Sequence, residues 1–127
     1  MRHVVTAHDT GTLINPIGAE GQIEGGFVQG LGFATMEELR IADGQVTNAS
    51  FGDYKVPSIA DVPPLEMVLI EPAVGPGPYN AKSLGEHSLI PTAAAIANAI
   101  YDAVGVRITS TPITAEKVYA ALRHSRA

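Results

Sequence analysis

The stretch Asn15-Pro16-Ile17-Gly18-Ala19-Glu20-Gly21-Gln22-Ile23-Glu24-Gly25-Gly26-Phe27-Val28-Gln29-Gly30-Leu31-Gly32 decides how this chain is built. Ile17, Ile23, Phe27, Leu31 and Ala34 recur near helical spacing, which predicts a long helix over residues 16–39. Asn15 suits the cap, because its side chain can accept from a free amide. Pro16 suits the first helical position, where its missing N–H is not needed. Against this stand Gly18, Gly21, Gly25, Gly26, Gly30 and Gly32, each costing roughly 1 kcal/mol relative to alanine. Six such residues in one helix need a reason, and close approach of other backbone or of a bulky ligand supplies one. The run is not a dinucleotide fingerprint, because the glycines are not spaced G-x-G-x-x-G between a strand and a helix. It also lacks the Gly-Lys-Ser/Thr of a phosphate-binding loop.

Outward from the helix, residues 3–7 are β-branched and read as a strand entering the turn Asp9-Thr10-Gly11. Residues 38–41 and 45–48 flank Ala42-Asp43-Gly44, which predicts a hairpin turned by Asp-Gly. Residues 65–70 alternate as a strand bounded by prolines. A stiff, turn-rich loop over 72–79 leads into residues 80–86. An Ala-rich helix over 88–104 is stopped by Gly105, residues 106–108 form a short strand, and Thr114 caps a last helix running to about 123. The expected fold is α+β: a layered domain whose mixed sheet is packed by the long Gly-rich helix and the Ala-rich helix. At 127 residues the chain 1–127 is expected to be one domain.

Charged residues make up 17% of the chain, below the roughly 25% usual in soluble domains. That fits either a piece that buries surface against neighbours or an Ala-rich packed domain. The net charge is −5 with no basic run, which argues against nucleic acid as a partner, since its binding requires clustered cations. There is no cysteine, so any iron–sulfur cluster must be ligated elsewhere. No apolar stretch approaches the ~20 residues that span a bilayer, and no secretory h-region opens the chain. No membrane association and a cytoplasmic setting are expected.

The second informative segment is Gly77-Pro78-Tyr79-Asn80-Ala81-Lys82-Ser83-Leu84-Gly85-Glu86. By itself it reads as a surface loop ending in a glutamate, favourable near the positive end of a following helix. Taken with Asp9-Thr10-Gly11, Asn15-Pro16 and the pattern Gly21-Gln22-x-x-Gly25-Gly26, it resembles the C-terminal part of the molybdopterin-binding subunit of the xanthine dehydrogenase, aldehyde oxidase and carbon monoxide dehydrogenase family. Ala95 to Ile100 and Thr114 to Val118 match as well, so the resemblance covers nearly the whole chain.

The resemblance implies a second molybdenum-cofactor-binding domain within a larger subunit or complex, inactive alone. Glu86 matches the glutamate that serves as active-site base, and Gln22 the glutamine that contacts the pyranopterin. Lys82, Ser83, Leu84 and Gly85 follow as cofactor-binding candidates, through backbone amides or, for Lys82, through its charge; pairing with a carboxylate is the other reading of Lys82. The implied cofactor is molybdenum pyranopterin, as molybdopterin or its cytosine dinucleotide. Its metal is held by dithiolene sulfurs rather than side chains, and His3, His8, His87 and His124 lack metal-ligand spacing. FAD and [2Fe-2S] clusters are implied on partner chains or segments. The implied reaction oxidises a small heterocycle or aldehyde with water as oxygen source. Three departures stand out: His87 where proline is frequent, Asn80 where glycine is common, and Ser83-Leu84 in place of Gly-Val.

Overall fold

The computed structural model describes residues 1–72 and 74–125. Ala73, within the expected 72–79 loop, lies outside the described residues. The order of elements is β1 (Val4–Asp9), α1 (Pro16–Thr35), β2 (Ile41–Ala42), β3 (Gln45–Val46), β4 (Leu65–Ile70), α2 (Leu89–Val104) and α3 (Ala115–His124), with a 3-10 turn at Pro78–Asn80. β1 and β4 pair in parallel, Val4 opposite Leu65 through Asp9 opposite Ile70. β2 and β3 form a small antiparallel hairpin. Parallel and antiparallel pairing therefore occur in two separate two-stranded sheets rather than in one continuous sheet. The hairpin strands are too short to reach beyond one another. They are held instead at their base by buried Asn48, which accepts from the Arg40 amide at 2.8 Å and donates to the Glu38 carbonyl at 2.7 Å.

α1 begins as the sequence leads one to expect: the Asn15 side chain accepts from the Gly18 amide at 3.0 Å and Pro16 opens the helix. It ends at Thr35 rather than 39. The amides of Met36 and Glu37 both turn back to the Gly32 carbonyl, and Glu37 is held by the Tyr54 hydroxyl at 2.8 Å, so the chain leaves the helical path there. β1 runs on to Asp9, because the ladder continues through Ile70, whose carbonyl accepts the Thr10 amide. Residues 106–108 form no strand. Val106 is buried and Ile108 packs on the core, while Arg107 donates to Asn98 at 2.8 Å and lies over the Tyr101 ring.

The core is Phe27, Leu31 and Ala34 of α1, Ile96 of α2 and Ile113, flanked by Val4 and Leu65 from the sheet. The Ile113 amide donates to the Ala34 carbonyl at 2.6 Å and fastens the C-terminal segment to the end of α1. α2 ends at Gly105, whose left-handed backbone (φ 73°) closes the helix onto the Tyr101 carbonyl. α3 is capped by Thr114.

The glycines of α1 divide into two groups. A Cβ on Gly26 would strike Ser88 Oγ, and one on Gly30 would come within 2.7 Å of Thr92 Cβ and 3.1 Å of the Leu89 carbonyl oxygen. These two residues let α2 lie against α1. Gly21 and Gly25 meet nothing within 4 Å, so packing inside this chain does not account for them. Gly30→Ala is expected to lower stability by about 1–3 kcal/mol through overpacking. Gly21→Ala is expected to raise it by up to about 1 kcal/mol through helix propensity. Thermal or denaturant unfolding of the two variants tests the division, and equal effects would contradict it.

Candidate cofactor-binding groove

The turn after β1 and the segment after the 3-10 turn are laced together. The Thr12 amide donates to the Asn80 carbonyl at 3.0 Å, and the Lys82 amide to the Thr10 carbonyl at 3.1 Å, making an isolated antiparallel bridge between Gly11 and Ala81. Gly11 has φ 59°, and a Cβ there would meet the Asn80 carbonyl oxygen, so both its conformation and its space demand glycine. Asn80 has φ 61°. Asparagine is one of the few non-glycine residues that enters this region readily, which is why Asn80 can stand where glycine is common. Tyr79 beside it, at φ 54°, is a bulky residue in the same sparsely populated region.

The lacing creates an open groove of about 450 Å³ between these segments and the first turns of α1. Its walls are Thr10 to Asn15 without Gly11, then Gly18, Ala19 and Gln22 on one side, and Ala81, Lys82, Leu84 and Gly85 on the other. Four of the six candidate residues, Gln22, Lys82, Leu84 and Gly85, thus share one cavity. Ser83 and Glu86 are not part of its wall. The Ser83 hydroxyl lies 3.2 Å from His87 Nε2. Glu86 is exposed at the entrance to α2, its carbonyl accepting the Leu89 amide.

Among the described residues no carboxylate is part of the groove wall, although Glu71 Oε2 accepts the amide of the wall residue Leu13 at 2.8 Å. The first turn of α1 contributes to the wall and contains no acidic residue, so the positive end of that helix is not neutralised within it. Gln22 is exposed and makes no side-chain hydrogen bond among the described residues, and neither do the amides of Ser83, Leu84 and Gly85. The Lys82 amide differs: it is engaged by Thr10, so it is not free for a ligand as the sequence suggested. Its ammonium binds Asp9 Oδ2 at 2.5 Å, which is the carboxylate-pairing alternative. Sequence reasoning missed Thr10, Thr12 and Asn15 as wall residues. It treated Thr10 as part of a turn and Asn15 as a cap and gave Thr12 no role, although a turn feeding directly into a helix N-terminus is the signal that could have found them.

Asp9 also accepts the Gly11 amide at 3.1 Å. The Lys82 hydrogen bond first, then that amide, hold its carboxyl below the ordinary aspartate range, with burial opposing weakly. A depressed carboxylate stabilises the folded state above its unfolded pKa and loses that contribution as pH falls through its folded value. The lacing is therefore expected to weaken below about pH 4. Denaturant unfolding across this range should show a shallower acid loss for Asp9→Asn than for the parent chain, and parallel curves would contradict it.

Residues 1–63 match the family model described as a molybdopterin cofactor-binding domain. The xanthine dehydrogenase molybdenum-binding subunit of Escherichia coli O157:H7 is 41% identical over 94% of this chain. The crystal structure of quinoline 2-oxidoreductase from Pseudomonas putida 86 superposes over 94% of the chain with a TM-score of 0.85 and 33% identity. The aldehyde oxidoreductase of Desulfovibrio gigas does so over the same share with a TM-score of 0.84 and 36% identity. The chain spans 16% of the length of the first two and 13% of the third. With similarity running along nearly its whole length in both sequence and fold, the chain belongs to the family of molybdenum-binding subunits of xanthine dehydrogenase and aldehyde oxidoreductase type.

Proposed function

We propose that this chain supplies one wall of a molybdenum pyranopterin site, together with the proton-accepting glutamate, in a hydroxylase that oxidises a heterocycle or an aldehyde with water as oxygen source. The observation that carries this reading is the single groove, with no carboxylate in its wall, that unites Gln22 with Lys82, Leu84 and Gly85. An anionic, phosphate-bearing pterin suits such a wall. Gln22 offers two donors and an acceptor to its polar edge, and the unpartnered amides of Ser83, Leu84 and Gly85 suit its oxygens as oriented amides do elsewhere. Lys82 keeps Asp9 neutralised at the rim, which removes that carboxylate's repulsion of an anion.

When bound, the cofactor supplies the two-electron oxidation and the oxygen transfer. The chain's own part is placement and proton handling. Glu86, ionised, accepts at a carboxylate oxygen the proton released as the attacking oxygen forms its bond to the substrate carbon. Gly85 lets the backbone pass close beside the reacting groups. The pterin as molybdopterin or its cytosine dinucleotide, with FAD and [2Fe-2S] clusters on partner subunits or domains and a cytoplasmic setting, completes the proposal. The lack of cysteine in this chain is consistent with clusters ligated elsewhere.

The remainder of a molybdenum subunit is the first partner proposed. The outer face of the β1–β4 pair leaves Val5, Val68 and Ile70 at 58%, 41% and 49% exposure, whereas parallel sheets are normally covered on both faces. The chain by itself is accordingly expected to be inactive.

A second reading, a cofactor-binding domain with an idle site, is favoured by the exposure of Glu86 outside the groove wall. Glu86→Gln separates the two in the purified complex. The catalytic reading expects turnover to fall by about 10²–10⁴ with molybdenum retained, as measured by elemental mass spectrometry. Near-normal turnover would sink it. Gln22→Ala is expected to lower molybdenum and pterin content, and unchanged content would remove Gln22 from the site.

A further inference from the structure

Glu86 sits inside a short segment with little backbone support. The amides of Ser83, Leu84 and Gly85 have no partner among the described residues, so the shape of this segment depends on side-chain ties at its ends. One residue supplies two of them. His87 Nε2 lies 3.2 Å from Ser83 Oγ, which closes residues 83–87 across Glu86. The same imidazole lies nearly parallel to that of His8, with centroids 6.5 Å apart and planes inclined by 19°. His8 is a firm anchor: it is buried in β1, and Thr6 Oγ1 meets its Nε2 at 2.7 Å. Its imidazole is held below the ordinary histidine range by burial first and by His87 second. Beyond His87, Ser88 is buried against Gly26 of α1, so the far end of the segment is fixed as well.

We infer that His87 is the positioning residue of this site, holding the Glu86-bearing turn against β1 through His8 and closing it through Ser83. The inference rests on Glu86 being the base. A proline at this position would stiffen the turn through its ring. Here two side-chain contacts do the equivalent work, which accounts for the departure at His87 in chemical terms.

The test uses the purified molybdenum-containing complex that includes this chain, with hydrogen–deuterium exchange of peptides covering 83–89 and steady-state kinetics side by side. With these amides held by the bound pterin in the complex, His87→Ala is expected to speed exchange there roughly five- to tenfold, the effect of losing one hydrogen bond and one ring contact. It should lower kcat about tenfold while KM stays within about twofold. His87→Gln, which can still meet Ser83, and His87→Phe, which can still lie on His8, should each recover part of both losses. Glu86→Gln should abolish turnover and leave exchange as in the parent. Unchanged exchange in His87→Ala overturns the inference, and so does faster exchange with unchanged kcat in a complex where Glu86→Gln collapses turnover. Retained turnover in Glu86→Gln instead overturns the base assignment, and the positioning role with it.

Discussion

The approach of α2 to α1 at Gly26 and Gly30 is the contact on which the remaining arrangement depends. With no Cβ at these two positions, Ser88, Leu89 and Thr92 reach the backbone of α1 itself. The N-terminus of α2 is thereby set at a fixed distance from the helix that carries Gln22. Dispersion falls off steeply with separation, so a helix pair seated this closely has little freedom to slide. The turn bearing Glu86 leads directly into Ser88 and inherits that restraint. Placement at the site thus begins in a packing interface rather than in any residue of the groove.

The second restraint is the bridge between residues 10–12 and 80–82. It is made by backbone groups, and it forms because Gly11 and Asn80 both adopt left-handed conformations that most residues avoid. Between them they turn two chain segments face to face and leave a groove at the positive end of α1. The chain carries an excess of acidic residues, yet none lines this cavity. Two carboxylates stand at its rim: Asp9 is matched by Lys82, and Glu71 accepts the Leu13 amide. The wall itself is thus set by backbone amides, a glutamine and a neutralised lysine rather than by the net charge of the molecule.

Elements with a strong local signal were readable from the sequence. β4 occupies residues 65–70 as its alternation implies, and Asn15, Thr114 and Gly105 cap as their chemistry dictates. The end of α1 was not readable, because it is set by the Tyr54–Glu37 bond to a distant residue. Val106 to Ile108 have strand propensity but pack as an extended segment without a ladder partner. At the site, the two motifs could be recognised by spacing, but their convergence on one groove could not. That depends on the bridge, whose partners lie far apart in the chain. Nor could the sequence tell that the Lys82 amide would be engaged by Thr10, or that Ser83 would face His87 rather than the groove.

The parallel ladder carries a kinetic consequence. The contacts that flank it span long intervals: the Thr10 hydroxyl meets the Ile70 carbonyl 60 positions away, and Lys82 meets Asp9 73 positions away. Closing loops of that length costs roughly 3–4 kcal/mol of chain entropy before any contact is gained. The α1 helix and the hairpin need only neighbours in sequence. Because this entropy is lost before the non-local contacts form, ladder and bridge are expected to form after the local elements, and the groove with them. Until then the two motifs that form it are carried on separate, unjoined parts of the chain.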